Sequence, residues 1–346
     1  MKRTIVFLTF LFLGIVLFSL VLRFAGRKAI EMTLLLFAGP GGIIILLFTA
    51  LMILLGTVRW REILKTLGYD IPYRDLWRAD FSYFAINFFA PQLFIGGEAF
   101  QSYLLSKRFG VRPEKAIASA VIERILEFTW SAVVIVVGSV FLISAIGFPP
   151  QSLFIFLGAA FVFLAVLLAA FYFKSFRRQS IVKMFIKKTS RKNHVLEVEE
   201  DVFRFFQLRS GRLWRGFFVT ALKGAVNLIR ILAVIFFLGK SVGLTSAVSM
   251  LGALYLALLF PIPAALGSHD ALQAFVFGVL GLGRETGAAL ALIIRGAEFS
   301  VALVGLIFLV RTGLYLIKIS YGGRSLSAGG QARYIPPAIS SGKNKS

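Results

Sequence analysis

The chain has 346 residues with no cysteine; 58% are hydrophobic, only 16% are charged, and the formal net charge is +22. A soluble domain averages about 45–50% apolar and about 25% charged residues, so the composition excludes an ordinary soluble protein and indicates a membrane protein. The missing cysteines exclude disulfides, thiolate catalysis and cysteine-ligated metals, and we expect no cofactor, no metal and, because basic residues collect in cytoplasmic loops of membrane proteins, no nucleic acid partner.

Six apolar runs are long enough to cross a bilayer. They cover residues 4–22, 34–58, 116–146, 153–173, 216–238 and 286–310. The first run follows Lys2 and Arg3 and exceeds the core length of a signal peptide, which predicts a retained helix with a cytoplasmic N-terminus. The second run contains Gly39 and Pro40, which should loosen or kink it near its start.

Two further apolar stretches are broken. Residues 79–106 are interrupted by Pro91 and Gly96-Gly97, and residues 244–281 by Pro261, Pro263 and Gly267. Each stretch forms either a re-entrant hairpin or a pair of crossings. The pieces of the first stretch, about 12–15 residues each, are too short for easy spanning and favour re-entrance. We therefore predict an all-α polytopic membrane protein with about six full spans and two broken or re-entrant helical hairpins.

The sizeable polar segment, residues 174–215, contains twelve Lys or Arg and four acids, which predicts a cytoplasmic location. Apolar residues at helical spacing within it predict short amphipathic helices on the membrane surface, where basic side chains attract anionic lipid headgroups. Residues 1–315 should form one membrane domain, and residues 316–346 a basic, disordered cytoplasmic tail.

An internal repeat links the two broken stretches. Each is followed by an apolar helix with the pattern Arg-x-x-Glu-Phe, beginning at Arg124 and at Arg295. If the basic segments are cytoplasmic, the first broken stretch must enter and leave from the inside and the second from the outside. The repeat halves, roughly 34–146 and 216–310, then have opposite orientation, the inverted-topology repeat of many secondary transporters.

Charges deep in the predicted spans mark the candidate binding site. Arg124 and Arg295 lie near mid-depth, where a charge costs at least about 2.5–3.5 kcal/mol. Each arginine, with the glutamate three positions on, either pins its helix against a neighbour or lines a cavity and binds an anionic headgroup.

The acids near the breaks have two interpretations as well. Glu98 and Asp270 are either ordinary first-turn acids of a helix or part of an anion site formed by exposed N–H groups. Glu123 lies one turn from Glu127, and two carboxylates beside one arginine suggest that one of them carries or relays a proton. The candidate substrate-binding residues are Arg124, Arg295, Glu98, Asp270, Glu123, Glu127, Glu298, Asn87, Gly96, Gly97, Gly267 and Ser268.

The order of these motifs resembles the transmembrane domain of the lysylphosphatidylglycerol synthase family, also called flippase-like membrane proteins. The matching elements are Asn87-x-x-x-Pro91, Gly96-Gly97-Glu98-Ala99, Tyr103-Leu104-Leu105, Glu123-Arg124, Gly267–Asp270 and Arg295. The chain departs from the family at Gln101, where an arginine is usual, and at Ser268-His269, where the family is richer in glycine. The resemblance implies that the lipid-translocating part is present and that the soluble aminoacyl-transferase domain of the full synthases is absent.

The leading hypothesis is a multi-pass protein of the inner or plasma membrane, with both termini in the cytoplasm. It would move an anionic or aminoacylated phospholipid, or a lipid-linked molecule, between leaflets. The alternatives are a membrane-embedded lipid headgroup or lipid-linked sugar transferase, with Glu98, Glu123 or Asp270 as base, and an accessory subunit of such an enzyme. We expect no enzymatic activity, because no polar domain is present to bind a soluble co-substrate.

Overall fold

The structure is a computed structural model that describes residues 26–89, 96–147, 151–177, 179–180, 192–207, 211–258, 268–322 and 333–334. Several predicted features lie outside the described residues. They are the first span over residues 4–22, the breaks at Pro91, Pro261, Pro263 and Gly267, and most of the tail after residue 322.

Eleven helices make up most of the described chain. The first five are α1 (Arg27–Ala38), α2 (Pro40–Thr66), α3 (Tyr73–Phe89), α4 (Gly96–Phe109) and α5 (Pro113–Ile146). The next two are α6 (Gln151–Phe176) and α7 (Lys192–Phe205). The last four are α8 (Gly211–Phe237), α9 (Leu244–Leu258), α10 (Ser268–Val279) and α11 (Arg284–Gly322). Two short strands, β1 (Tyr69–Asp70) and β2 (Arg333–Tyr334), pair antiparallel.

Proline and glycine set several of the helix ends. Pro40 and Pro113 occupy the first positions of α2 and α5, where a proline loses no intrahelical hydrogen bond. Gly39 separates α1 from α2, so the predicted weakness in the second apolar run is a complete break. Gly110 and Gly281 have φ angles of 69° and 74°, a left-handed conformation that glycine adopts without strain in the turns before α5 and α11.

Four of the described helices are long and apolar enough to cross a membrane. They are α2, α5 over Pro113–Ala145, α8, and α11 over Arg284–Gly313. Their outer faces carry exposed apolar side chains such as Val133, Val136 and Val140 of α5, as expected for a surface in contact with lipid. The protein is therefore an all-α membrane protein.

The helices flanking the two breaks are short. α3 and α4 contain 17 and 14 residues, and α9 and α10 contain 15 and 12. A straight span needs about 20 apolar residues, so none of the four crosses a bilayer comfortably alone.

Each short helix before a break packs against the long helix of the other half. α3 runs along α11, and α9 runs along α5. Glycines permit both crossings: a Cβ atom on Gly138 would lie 2.8 Å from the Gly252 Cα, and one on Gly305 would collide with the Phe81 carbonyl oxygen. α2 and α8 pack against each other at the centre.

Helix α7 has the amphipathic pattern expected from the sequence, but its apolar face packs on protein. Val202, Phe203 and Phe205 are buried in a cluster with Ile122 and Leu126 of α5. The expectation that this helix lies on the lipid surface is therefore wrong for its apolar side. Other parts of the protein, and not lipid, cover the apolar face of α7. The second amphipathic stretch, around residues 181–186, lies outside the described residues.

Candidate functional site

Glu98 and Arg124 meet where the short helix α4 begins beside the long helix α5. The Arg124 guanidinium donates hydrogen bonds to Glu98 Oε1, and the Tyr83 hydroxyl donates to the same oxygen at 3.2 Å. The Arg124 side chain remains 36% exposed, against 13% for Glu98. A partly accessible guanidinium can exchange a carboxylate for a phosphate, because it binds both anions through the same pair of N–H groups.

A second arginine, Arg59, is more deeply buried in the protein than Arg124 and was not identified from the sequence as a site residue. Its Nη2 donates to Glu123 Oε1 at 2.7 Å and to Glu127 Oε1 at 2.8 Å, and its side chain is only 1% exposed. Its Nη1 donates to the Thr220 hydroxyl of α8 at 3.3 Å. Arg59 follows the apolar run 34–58, a place where arginine usually begins a cytoplasmic loop, yet α2 continues to Thr66 and keeps it inside the protein.

Glu127 is shared by three cations from three helices. Besides Arg59, it accepts a hydrogen bond from Lys223 Nζ of α8 at 3.0 Å and one from Arg124 Nη1 at 3.4 Å. The Arg124–Glu127 contact expected from the spacing is thus present, but the carboxylate binds two more distant residues at shorter range. The result is a network that joins α2, α5 and α8.

Other predicted polar residues of the first half support this network. Gln101 is buried and donates from Nε2 to Glu123 Oε2 at 3.3 Å. Asn87 of α3 lies so close to Gly97 of α4 that a Cβ atom at position 97 would collide with its amide. Gly96 is the first residue of α4. Asn87 and Gly97 therefore fix the close approach of the two short helices.

The second half has a comparable but looser set of contacts. Arg295 Nη2 of α11 lies 3.6 Å from Asp270 Oδ2 of α10, with side-chain exposures of 11% and 16%. Arg230 Nη2 of α8 donates to Glu298 Oε1 at 3.4 Å and to Asn227 Oδ1 at 2.9 Å. Among the other predicted residues, Ser268 begins α10, and Gly267 lies outside the described residues.

These contacts define two ionic clusters. The first cluster consists of Arg59, Arg124, Lys223, Glu98, Glu123 and Glu127. The second cluster consists of Arg230, Arg295, Asp270 and Glu298.

Several contacts of the two clusters correspond to each other. Arg124 and Arg295 are 171 positions apart (295 − 124), and the same offset relates Arg59 to Arg230 and Glu127 to Glu298. The hydrogen bond from Arg59 to Thr220 has its counterpart in the one from Arg230 to Thr49, again with that offset. The Arg124–Glu98 contact corresponds to Arg295–Asp270, with one extra position between the acids.

Arg230 was also missed from the sequence, although a signal was present. It stands in the middle of the apolar run 216–238, where a charge is as costly as at Arg124. Its hydroxyl partner, Thr49, is 181 positions away, so the contact itself has no local signature.

Both clusters pair arginines with carboxylates, a chemistry suited to anion binding. Within the described chain, no three acidic, histidine or cysteine side chains are grouped to hold a metal ion. Each cluster instead offers a guanidinium bound to a carboxylate at the first turn of a short helix, so an incoming anion would compete with that carboxylate.

Comparison with known proteins agrees with this architecture. The profile of the family described as the lysylphosphatidylglycerol synthase transmembrane region matches residues 4–305. The chain belongs to this family. The match covers both clusters, both short-helix pairs and the predicted first span.

A more local similarity links the chain to a UPF0104 membrane protein of Methanocaldococcus jannaschii. The two are 34% identical over 71 residues, which is 20% of this chain and 21% of that protein. The chain thus covers only about a fifth of that relative's length. No solved structure matches the chain significantly.

Proposed function

We propose that the protein moves an anionic or aminoacylated phospholipid, or a lipid-linked molecule, between the two leaflets of a cell membrane. The observation that carries this proposal is the pair of matching arginine–carboxylate contacts, Arg124–Glu98 and Arg295–Asp270. Intramembrane charges are costly and commonly mark substrate pathways. Two equivalent anion-binding arginines in one membrane domain suit a substrate that passes from one half to the other.

An internal repeat underlies the proposal, and the packing supports it. The repeat units are α2–α5 and α8–α11, in which α3 packs on α11 as α9 packs on α5. The close contacts obey the same offset: Gly305 meets Phe81, and Gly252 meets Val134, positions that are related in pairs by 171. The turn glycines Gly68 and Gly239, both with positive φ, are related in the same way.

Opposite orientation of the two units is supported by ion pairs at the helix ends. Lys28, before α2, lies 2.7 Å from Glu285 at the start of α11, two places assigned to the outside. Lys115 at the start of α5 lies 2.6 Å from Asp201 of α7, two places assigned to the cytoplasm. With this orientation, α3–α4 and α9–α10 are re-entrant hairpins that enter from opposite faces, an arrangement found around central sites of secondary transporters.

The proposed mechanism depends on the accessibility of the two arginines and on the exchange of the anions that they bind. An anionic headgroup entering between the halves would replace Glu98 on Arg124, or Asp270 on Arg295, depending on which hairpin faces its leaflet. The displaced carboxylate would return when the headgroup leaves, so neither arginine stays unpaired in the membrane. The basic segments, including residues 174–215, would lie on the cytoplasmic side and attract anionic lipids.

The direct test is translocation of labelled anionic phospholipid in vesicles containing the purified protein. Arg124→Ala and Arg295→Ala should each slow translocation about tenfold or more, since a hydrogen bond to a charged group contributes about 1.5–3 kcal/mol. Arg124→Lys, which keeps the charge but loses the paired N–H groups, should fall between. The matched control is Arg27→Ala, because Arg27 is an arginine with 93% side-chain exposure.

Equal translocation by wild type and both alanine variants would contradict the proposed role of the arginines. Lipid mass spectrometry on the same vesicles addresses the transferase alternative: a new lipid product that disappears with Glu98→Gln would indicate an enzyme.

A further inference from the structure

The two clusters differ in charge. The four positions that the repeats share carry two arginines and two carboxylates in each half, so each shared set is neutral. Three more charged groups lie around the first set: Asp80 and Glu123 of the first half, and Lys223 of α8 in the second half. At the offset of 171, their counterparts are Leu251, Ile294 and Met52. The surroundings of the first set therefore carry one negative charge in excess, whereas the matching positions around the second set are uncharged.

Asp80 is the carboxylate that this excess leaves without a cation. It lies in the middle of α3, is 6% exposed, and has no basic nitrogen within 4.0 Å among the described residues. Its Oδ2 lies against the backbone of α2, 3.3 Å from where a Cβ atom on Gly56 would be. A buried carboxylate without a cation is strongly disfavoured as an anion and takes up a proton more readily than it remains charged.

The one hydrogen bond described for Asp80 fits a protonated acid. The Thr57 hydroxyl lies 2.8 Å from Asp80 Oδ2 and 3.2 Å from the Ile53 carbonyl oxygen. If Asp80 is ionised, its Oδ2 and the Ile53 carbonyl oxygen can both only accept hydrogen bonds. The Thr57 hydroxyl has a single hydrogen and can donate it to only one of them. If Asp80 is protonated, it donates to Thr57 Oγ1, which then donates to Ile53, and every group is satisfied.

The charged groups that face Asp80 come from three helices. Arg59 of α2, Glu123 of α5 and Lys223 of α8 are close enough to act on it electrostatically. On its own helix, Tyr73 is close enough to act on Asp80 electrostatically, and its hydroxyl donates to the Leu54 carbonyl oxygen at 3.1 Å. Helix α11 meets α3 through apolar contacts, such as Phe308 with Phe81.

Lys223 connects Asp80 to the headgroup site. Lys223 Nζ donates to Glu127 and lies 4.0 Å from where a Cβ atom on Gly56 would be, the same glycine that Asp80 touches. An ionised Asp80 would draw this ammonium away from Glu127. Glu127 would then bind Arg124 more tightly, since the two are already 3.4 Å apart, and Arg124 would be less available to a headgroup.

We propose that Asp80 is a proton-binding site and that its protonation couples lipid translocation to pH. Proton uptake converts the Asp80 carboxylate to the acid, leaves Lys223 on Glu127 and leaves Arg124 available; proton release reverses each step. This inference rests on the proposed lipid translocation, and it identifies proton binding at Asp80 as the control of headgroup access to Arg124.

Two measurements on the full-length protein test it. Infrared difference spectroscopy between wild type and Asp80→Asn detects the C=O stretch of a protonated carboxylic acid at position 80 without requiring transport. Translocation of labelled phosphatidylglycerol in vesicles, measured over a pH series, detects the coupling. We expect the wild-type rate to fall with rising pH by up to about tenfold per unit, the limit for one proton, and the pH dependence to be lost in Asp80→Asn.

Asp75→Asn is the matched control, because Asp75 lies on the same helix but pairs with Arg108 at 3.2 Å near the helix end. It should retain both the infrared band and the pH dependence. Asp80→Leu, which copies the residue of the other repeat, provides a second variant that is fixed in the neutral state.

The outcomes separate the inference from the proposed function. Three results would overturn the proton site in a protein that moves lipid. They are the absence of the protonated-acid band, an unchanged pH dependence in Asp80→Asn, and a requirement for sodium in place of protons. A band at position 80 in a protein that moves no lipid at any pH would contradict the translocation proposal and overturn the coupling with it.

Discussion

At the scale of single residues, arginines in the two halves are held with unequal strength. Arg59 binds two carboxylates at 2.7 and 2.8 Å, whereas Arg230 binds one carboxylate at 3.4 Å. Removing one member of a buried ion pair destabilises a protein more than replacing both members by apolar residues, because the remaining charge stays buried without a partner. The first cluster should therefore contribute more to stability than the second.

Arg59→Met tests this difference. The substitution leaves Glu123 without a cation and should lower the free energy of unfolding by about 3–5 kcal/mol. Arg27→Met, at an exposed arginine, should change it by less than about 1 kcal/mol. Thermal unfolding of the detergent-solubilised protein measures both, and Glu123→Gln added to Arg59→Met should restore part of the loss. Equal melting temperatures for the two single variants would contradict a central role for Arg59.

The sequence identified some residues of the two clusters and could not identify others, for physical reasons. Arg124, Arg295 and their acids stand out because charges are rare inside apolar runs and the pattern occurs twice. The partners could not be predicted, since spacing along one helix suggests Glu127 for Arg124, whereas Arg59 approaches Glu127 from another helix. Local patterns report neighbours along a helix, and the strongest contacts here join helices distant in sequence.

At the scale of elements, the crossing of α3 with α11 depends on a glycine. A side chain at position 305 would collide with the Phe81 carbonyl oxygen, which belongs to the backbone of α3 and cannot rotate away. At Gly313, farther along α11, a Cβ atom would meet nothing within 4 Å.

Alanine substitutions at these two glycines should therefore have opposite signs. Gly313→Ala should be neutral or stabilising by up to about 1 kcal/mol, the usual gain from replacing a helical glycine. Gly305→Ala should lower the melting temperature and the yield of monodisperse protein, because the two helices must separate. Similar behaviour of both variants would argue against the close crossing.

Helix α7 shows what an amphipathic pattern leaves undecided. The pattern predicts a helix with one apolar face, but lipid and protein satisfy such a face equally well. Phe205 is 1% exposed and lies against Gly216, so Phe205→Ala should cost about 3–5 kcal/mol of unfolding free energy. Val195→Ala, at a side chain that is 37% exposed, should cost about 0.5 kcal/mol or less. Chemical denaturation in detergent measures the loss of unfolding free energy in both variants. Equally small losses would indicate that the apolar face of α7 lies on lipid and not on protein.

At the scale of the whole molecule, the fold class follows from composition and apolar runs alone. Some helix ends also follow, as at Gly110 and Pro113 before α5. In contrast, α2 continues past the apolar run 34–58 to Thr66, and α11 continues past the run 286–310 to Gly322. The pairing of helices does not follow from these signals. It depends on close contacts such as Gly138 with Gly252, which join residues 114 positions apart (252 − 138) and leave no trace in local hydropathy.

In the proposed arrangement, two copies of one four-helix unit face opposite sides of the membrane. The chain contains no cysteine, so each introduced cysteine reports on one site. Arg112, just before α5, and Arg284, the first residue of α11, are both exposed and mark corresponding helix starts. Labelling of Arg112→Cys and Arg284→Cys with a membrane-impermeant maleimide, in intact and in permeabilised cells, is therefore the most direct test. The account predicts that intact cells label only position 284 and that permeabilisation exposes position 112; labelling of both positions from the same side would contradict it.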